Sequence, residues 1–502
     1  FIDRHYCDEF YPSSIDEYLM EVFSSKFQDI PLEILLKRES FLAYLQKEWE
    51  IFLLSYVDES KKSIVPFDNK DIKVYMDNYF LEGLLRPVLI YKPAKIPVWA
   101  RPGLIGDNRE EDMERFKKLF EIIKEEIPSE KSPCNDWLNF AVKWAKCLKT
   151  YHEIKKPSDR EEIEQFHLNI EEPFEQLHLQ IEEKFGKWMI DRYSPIISLS
   201  YYPHPRMVHK ILPYISYKLK EESKAALIII DGMSLDEWLL VKECLVDNEA
   251  FQMIENRIFA MVPTITSVSR QSILSGRLPK EFSFTDNTTE ETTSREISSC
   301  YGKQNFINTT AKEETFWKNF WEKEGKKKPF FLKNQKFTEI SVYGDAMNSS
   351  VMAVIINDID DANHDSKGNR GVVYSTIKYW INEGIFSRFI KELLLADFTV
   401  YITSDHGNIS TIGTGMLKDR NLSESKGKRA HIFENVERRD IALKNERGIK
   451  WIDAGLPDNY FPLLATGKEA FTKEDEKNIC HGGISLEEVI VPFIEIRRKK
   501  DG

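Results

Sequence analysis

The chain has six cysteines, Cys7, Cys134, Cys147, Cys244, Cys300 and Cys480, and no two of them form a C-x-x-C pair. That removes the zinc ribbon, the thioredoxin-like redox motif and the dense disulfide scaffold. Long apolar runs are also missing. The longest, Ala225 to Ile230 and Val489 to Phe493, are strand-length, well short of the ~18 residues a membrane helix needs. No charged segment followed by an apolar one opens the chain, so the expectation is a reducing, cytoplasmic setting with free thiols and no membrane. The first residue is Phe1 rather than Met, so further residues can precede it. Positive charge is in deficit as well: the formal net charge is −12, which argues against duplex DNA binding by bulk electrostatics. Lys326 to Lys328 and Lys426, Lys428 and Arg429 are local basic groups that read as solvated faces. With 42% hydrophobic and 30% charged residues over 502 positions, the composition is that of a folded protein able to bury two or three cores.

Residues 1 to about 200 read as helix after helix. Apolar residues recur at three- and four-residue spacing in LEILLKRESFLAYLQKEWEIFLLSY, EEDMERFKKLFEIIKEEI and NDWLNFAVKWAKCLKTYHE, and proline-containing breaks separate the segments. The tryptophans there, Trp49, Trp137, Trp144 and Trp188, sit at helical spacing and read as core. No titratable cluster stands out in this region, so partner binding is its expected role.

After Pro205 the pattern changes. A helical stretch from Met207 to Leu219 leads into AALIIIDG, a continuous apolar run ending in Asp-Gly, which is how a buried parallel strand reads. Similar runs recur as VMAVIIND, DFTVYITSDHG and EEVIVPFIEI, with helical segments such as Ser387 to Leu395 between them. The expected fold of residues 201–502 is therefore an α/β sandwich with a largely parallel central sheet, preceded by an all-helical domain. Residues 281 to about 348 interrupt the alternation with a polar stretch and an aromatic helix candidate, KEETFWKNFWEKEGKKKP. This is expected to be an insertion forming a cap.

In parallel sheets functional groups collect at the carboxyl ends of the strands. Here those positions carry Asp231, Asp360 with His364, and Asp405 with His406, while His481 follows in CHGGISLEE and Thr266 lies in VPTITSVSR. Singly, each has an ordinary reading as a turn residue or a packed histidine. Together, three carboxylates and three imidazoles form a mixed N/O ligand set too large for one tetrahedral ion. Two divalent metals about 3.5–4 Å apart would use them all, an arrangement suited to in-line displacement at phosphorus.

These residues resemble the alkaline phosphatase superfamily. The wording IIIDGMSLDEW, PTITSVSRQSILSG, SDHGN and HGGISLEEVIVP resembles the PglZ domain of bacterial BREX phage-defence systems. The resemblance covers residues 205 to 500. It implies that Asp360, His364 and His481 hold one metal and that Asp231, Thr266, Asp405 and His406 hold the other, with zinc or manganese as the ions. It places the nucleophile at Thr266 rather than Thr264, at the start of a helix whose free N–H groups favour phosphate oxygens. Arg270, four residues on, would neutralise the non-bridging oxygens, with Arg429 as a second candidate. Sulfatase relatives carry an oxidised Cys or Ser followed two residues later by Pro; Thr266 and Val268 depart from that pattern.

The expected function is phosphodiesterase or phosphatase activity, on a substrate such as a nucleotide or nucleic acid, in antiviral defence alongside other BREX proteins. The alternative is a protein-interaction subunit of the defence complex with a structural or regulatory metal site.

Overall fold

The computed structural model describes residues 34, 38–58, 60–81, 84–85, 87–88, 96–103, 109–154, 161–219, 223–245, 251–283, 312–326, 328–341, 344–415, 428–445, 448–451 and 454–499. Most of the polar part of the expected cap, residues 284–311, lies outside them, as do Cys7, Cys300 and Lys426. The chain forms two compact units, Phe1–Ile122 and Ile123–Gly502.

In the first unit, the helices Arg38–Ser55 and Lys70–Leu81 and the 3-10 segment Val98–Gly103 surround Trp49. Its ring meets Phe52, Phe67, Phe80 and Trp99 at centroid distances of 5.1–5.9 Å. Trp49 is fully buried, and so are Phe67 and Tyr79. Helical spacing of large aromatics thus supplies a core, as the sequence suggested.

Among the described residues, the second unit has twelve strands. They are β1 (Lys224–Ile230), β2 (Phe251–Phe259), β3 (Phe330–Gln335), β4 (Val351–Ile356), β5 (Phe398–Thr403), β6 (Ile409–Gly413), β7 (Ala430–Phe433), β8 (Ile449–Lys450), β9 (Phe461–Leu464), β10 (Glu469–Ala470), β11 (Lys477–Cys480) and β12 (Ile490–Arg498). Six form the central sheet in the order β2-β12-β5-β1-β4-β3. β1 pairs in parallel with both β4 and β5, and β3 pairs in parallel with β4. The run from Ala225 to Ile230 is buried along its whole length because both faces of the sheet are covered. Each such isoleucine contributes about 1.5–3 kcal/mol of burial free energy. β12 differs from the simplest expectation: it runs antiparallel between β2 and β5, and the segment before it, Leu486–Val489, is a helical turn.

The helices Cys134–Ile154 and Glu161–Ile197, which sequence pattern alone groups with the N-terminal helices, belong to the second unit. The boundary between compact units lies at 122/123. Trp144 Nε1 donates to Glu487 Oε1 at 2.9 Å, Leu486 N donates to Glu182 Oε1 at 3.1 Å and Val262 N donates to Tyr193 Oη at 2.9 Å. These helices therefore brace the segments on either side of the strand-end groups.

Candidate metal centre

Each functional side chain is placed by an abrupt end of regular structure. β1 stops at Ile230, and Asp231 N still donates to Ile356 O at 2.8 Å, so the Asp231 side chain is fixed at the sheet edge. Gly232 follows in the left-handed region, at φ +68°, and a Cβ there would lie 3.0 Å from Asp360 Oδ1. Only glycine lets the two acidic segments approach this closely. Beyond β4, the helix Asp358–Asp365 carries Asp360 and His364 one turn apart, with His364 Nε2 3.3 Å from Asp360 Oδ2. Beyond β5 come Asp405 and His406, both fully buried. Gly407 lies against the Glu487 carbonyl so tightly that a Cβ would sit 1.9 Å from that oxygen. His481 follows β11.

The structure gathers the six expected ligands into two triads. Asp360, His364 and His481 present ligand atoms within 4.8 Å of one another, and so do Asp231, Asp405 and His406. The triads adjoin: the His406 and His481 rings stack with centroids 4.0 Å apart and an interplanar angle of 11°. Both rings are oriented from behind. His406 Nδ1 lies 3.0 Å from Gly407 O, and His481 Nδ1 lies 2.9 Å from Thr264 O. A ring that donates from Nδ1 to a carbonyl presents the lone pair of Nε2 to the site, the usual arrangement behind a metal-binding histidine.

Electrostatics favour a cation here. Asp231 Oδ1 and Asp405 Oδ2 are buried and have no hydrogen-bond partner among the described residues. Burial and the neighbouring Asp231 push the Asp405 carboxyl well above its ordinary value. Burial, with His406 beside it, pushes His481 from 6.5 down to about 4, so its ring is neutral near pH 7. Asp360 is half-buried; desolvation raises its carboxyl, but the hydrogen bond with His364 and the imidazoles of His481, His364 and His406 together outweigh that and hold it below the usual carboxylate range. Orphaned carboxylate oxygens facing imidazole lone pairs form a donor set that divalent zinc or manganese fits.

Thr266 is the first residue of the helix Thr266–Ser275, and its Oγ1 lies 3.2 Å from His406 Nε2. Thr264 is placed differently. Its fully buried hydroxyl donates to Gly483 O at 2.9 Å and accepts from Gly482 N at 3.0 Å. It clasps the turn after His481, while Thr266 faces the triads.

The arginines are committed elsewhere than expected. Arg270 is buried; its Nη1 donates to Asp231 Oδ2 at 2.5 Å and its Nε to Glu313 Oε1 at 2.9 Å. The fork expected to meet phosphate instead holds a carboxylate of the second triad. Arg429 is not at the site: it donates to Glu488 Oε1 at 3.1 Å, to Gly467 O at 2.8 Å and to Glu469 O, because its backbone runs beside the Gly482–Gly483 turn and not beside Thr266. Two residues absent from the sequence reading complete the surroundings. Asn357 Nδ2 donates to Asp231 Oδ2 at 3.1 Å. Glu313 opens the aromatic helix Glu313–Lys323, with Lys333 Nζ 2.6 Å from its Oε2. The acidic pair before FWKNFW was the one local hint of Glu313.

The sheet and the order of its strand-end residues define an alkaline-phosphatase-like α/β domain. The sequence matches the family described as the BREX system PglZ alkaline phosphatase-like domain over residues 213–496, more than half of the chain, and the chain belongs to that family. No curated protein matches. Among solved structures, mouse ectonucleotide pyrophosphatase/phosphodiesterase 5, an inactive variant in complex with AMP, is 12% identical over 55% of this chain and 88% of its own, with a TM-score of 0.38. The human protein of the same name is 14% identical over 55% of this chain and 89% of its own, at 0.36. Phosphonoacetate hydrolase of Sinorhizobium meliloti with phosphonoformate is 12% identical over 56% and 91%, at 0.33. Among the described residues no helix is long and apolar enough to cross a membrane.

Proposed function

We propose that this chain is a two-metal phosphoester hydrolase of BREX-type antiviral defence, with Asp360, His364 and His481 holding one divalent ion and Asp231, Asp405 and His406 the other. The observation that carries the reading is the Thr266 hydroxyl, 3.2 Å from His406 Nε2 at a helix N-terminus and beside two orphaned carboxylate oxygens. Divalent ions bound there supply Lewis acidity and neutralise charge on the phosphate oxygens. The chain's own residues do the rest. Thr266 Oγ1 gives up its proton to solvent and forms the bond to phosphorus as the P–O ester bond breaks and the ester oxygen leaves, taking a proton from solvent to become the alcohol; water then cleaves the phosphothreonine P–O bond, releasing the phosphate and restoring the hydroxyl. The first turn of the helix Thr266–Ser275 offers free backbone N–H groups to the phosphate oxygens. Arg270 acts one step back, fixing Asp231. The Gly407 and Thr264 carbonyls lock both imidazoles in one tautomer. Nucleotides or nucleic acid are the substrate class, and the helices of residues 1–122 are the part offered to other BREX proteins.

The test is turnover by the full chain, loaded with zinc or manganese, on a chromogenic phosphomonoester, a phosphodiester and short oligonucleotides. Metal-dependent turnover that Thr266→Ala removes is expected. One observation favours a second reading, an interaction subunit with a regulatory metal centre: Arg270 already has carboxylates on Nε and Nη1. A loaded protein inert on every ester would select that reading.

A further inference from the structure

A third cluster of ligand-type side chains lies outside the two triads. His178 and Glu182 sit one turn apart on the helix Glu161–Ile197, so they share a face. Glu487 projects from the turn Leu486–Val489. Their ligand atoms lie within 4.8 Å of one another, and the residues are only 3%, 5% and 6% exposed. Neighbours orient the two carboxylates by one oxygen each. Leu486 N donates to Glu182 Oε1 at 3.1 Å, and Trp144 Nε1 donates to Glu487 Oε1 at 2.9 Å. Two of the ligand atoms, His178 Nε2 and Glu487 Oε2, have no hydrogen-bond partner among the described residues. His178 Nε2 does lie 2.9 Å from Glu487 Oε1, but off hydrogen-bond geometry.

We propose that His178, Glu182 and Glu487 bind a further divalent transition-metal ion, zinc or manganese, which ties the helix Glu161–Ile197 to the segment following His481. Two buried carboxylates facing each other repel, and a divalent cation between them offsets both charges. The obvious alternative cation is engaged elsewhere, since Arg429 is held by Glu488 and two backbone carbonyls. One imidazole and two carboxylates form a three-ligand N/O set that leaves a coordination position open. Glu182, alone of the three, also lines a cavity of about 440 Å³ with Leu179, Gly186, Arg429, Gly467 and Ile484, so the cluster abuts a space large enough for water. The site bears on the catalytic centre through the backbone, because the Glu487 carbonyl abuts Gly407 and Gly407 N donates to Glu488 O at 2.9 Å. The ion is structural, and its ligands contact no substrate.

The test compares metal content of the full chain after zinc reconstitution with that of Glu182→Gln, a near-isosteric change that keeps the acceptor for Leu486 N. The variant is expected to lose one equivalent relative to wild type, and zinc is expected to raise its Tm less. Asp231→Asn is expected to keep the ion lost in Glu182→Gln, so the count separates this site from the paired triads even if those bind nothing. Should Glu182→Gln fold poorly, zinc-edge anomalous scattering from wild-type crystals decides. A peak between His178 and Glu487 supports the site. No peak at saturating zinc, or an unchanged metal count in a folded Glu182→Gln, overturns it.

Discussion

Thr264 and Thr266 offer a stringent comparison, because two identical side chains two residues apart are placed in opposite roles. The Thr264 hydroxyl is fully buried and joined to Gly483 O and Gly482 N. Thr264→Ala leaves one buried acceptor and one buried donor unmet, at about 1–3 kcal/mol each. With some local relaxation, a loss of about 2–4 kcal/mol and a fall of several degrees in Tm are expected. The Thr266 hydroxyl lies 3.2 Å from His406 Nε2, and the residue is half-buried. Thr266→Ala is expected to cost no more than about 1 kcal/mol of stability. Its effect falls on turnover, with kcat lower by about 10³-fold or more, since direct attack by water is the route left. Metal content should stay at the wild-type value, because carboxylates and imidazoles set the affinity. Melting curves, elemental analysis and kinetics on a chromogenic ester, run on both variants, give all three quantities. A folded, metal-loaded Thr266→Ala within tenfold of wild-type kcat would refute covalent catalysis at this residue. An inactive Thr264→Ala with unchanged Tm and metal content would show that the nucleophile had been placed on the wrong hydroxyl.

Asp231→Asn and Asp360→Asn are each expected to remove one metal equivalent, as one carboxylate of each triad is weakened, and elemental analysis of the reconstituted proteins checks this. A chain starting at residue 200 is expected to misfold or lose activity, because it lacks Trp144, Glu182 and Tyr193, which hydrogen-bond to Glu487, Leu486 and Val262; solubility and circular dichroism report it. Burial lowers His431 from 6.5 to about 4, so its neutral form favours the fold above pH 6.5, and about 3 kcal/mol of that stability is lost as pH falls from 6.5 towards 4. His431→Phe, packed against Phe471 as His431 is at 4.2 Å, should flatten this pH dependence in denaturant melts of metal-free protein.

What the sequence made legible was local. Apolar runs such as Ala225 to Ile230 announce buried strands, and an acid placed just after one needs no tertiary knowledge to be noticed. The two triads were therefore readable as members, and Thr266 as a helix start. What escaped depends on distant partners. The engagement of Arg270 by Glu313, 43 residues away, leaves no trace in periodicity. His178 and Glu182 have the same spacing as any amphipathic helix, so their convergence on Glu487 was invisible. The direction of β12 was equally hidden, since an apolar run reads alike parallel or antiparallel. The helices Cys134–Ile154 and Glu161–Ile197 show an apolar stripe without showing what covers it, which is why pattern alone grouped them with the preceding helices.

The position of β12 sets an order of events for the making of the protein. Although it is the last strand in the sequence, it occupies an interior slot, bonded to β2 on one side and to β5 on the other. On the ribosome, β1, β3, β4 and β5 can emerge and pair while that slot stands open, with β2 still outside the sheet and one edge of β5 unprotected. The sheet closes only when residues 490–498 arrive, and the turn holding His481 and Glu487 is drawn into place just ahead of them. A nascent chain that ends before residue 481 therefore carries five of the six triad side chains but lacks His481, so under the proposed reading the paired centre is complete only late in synthesis.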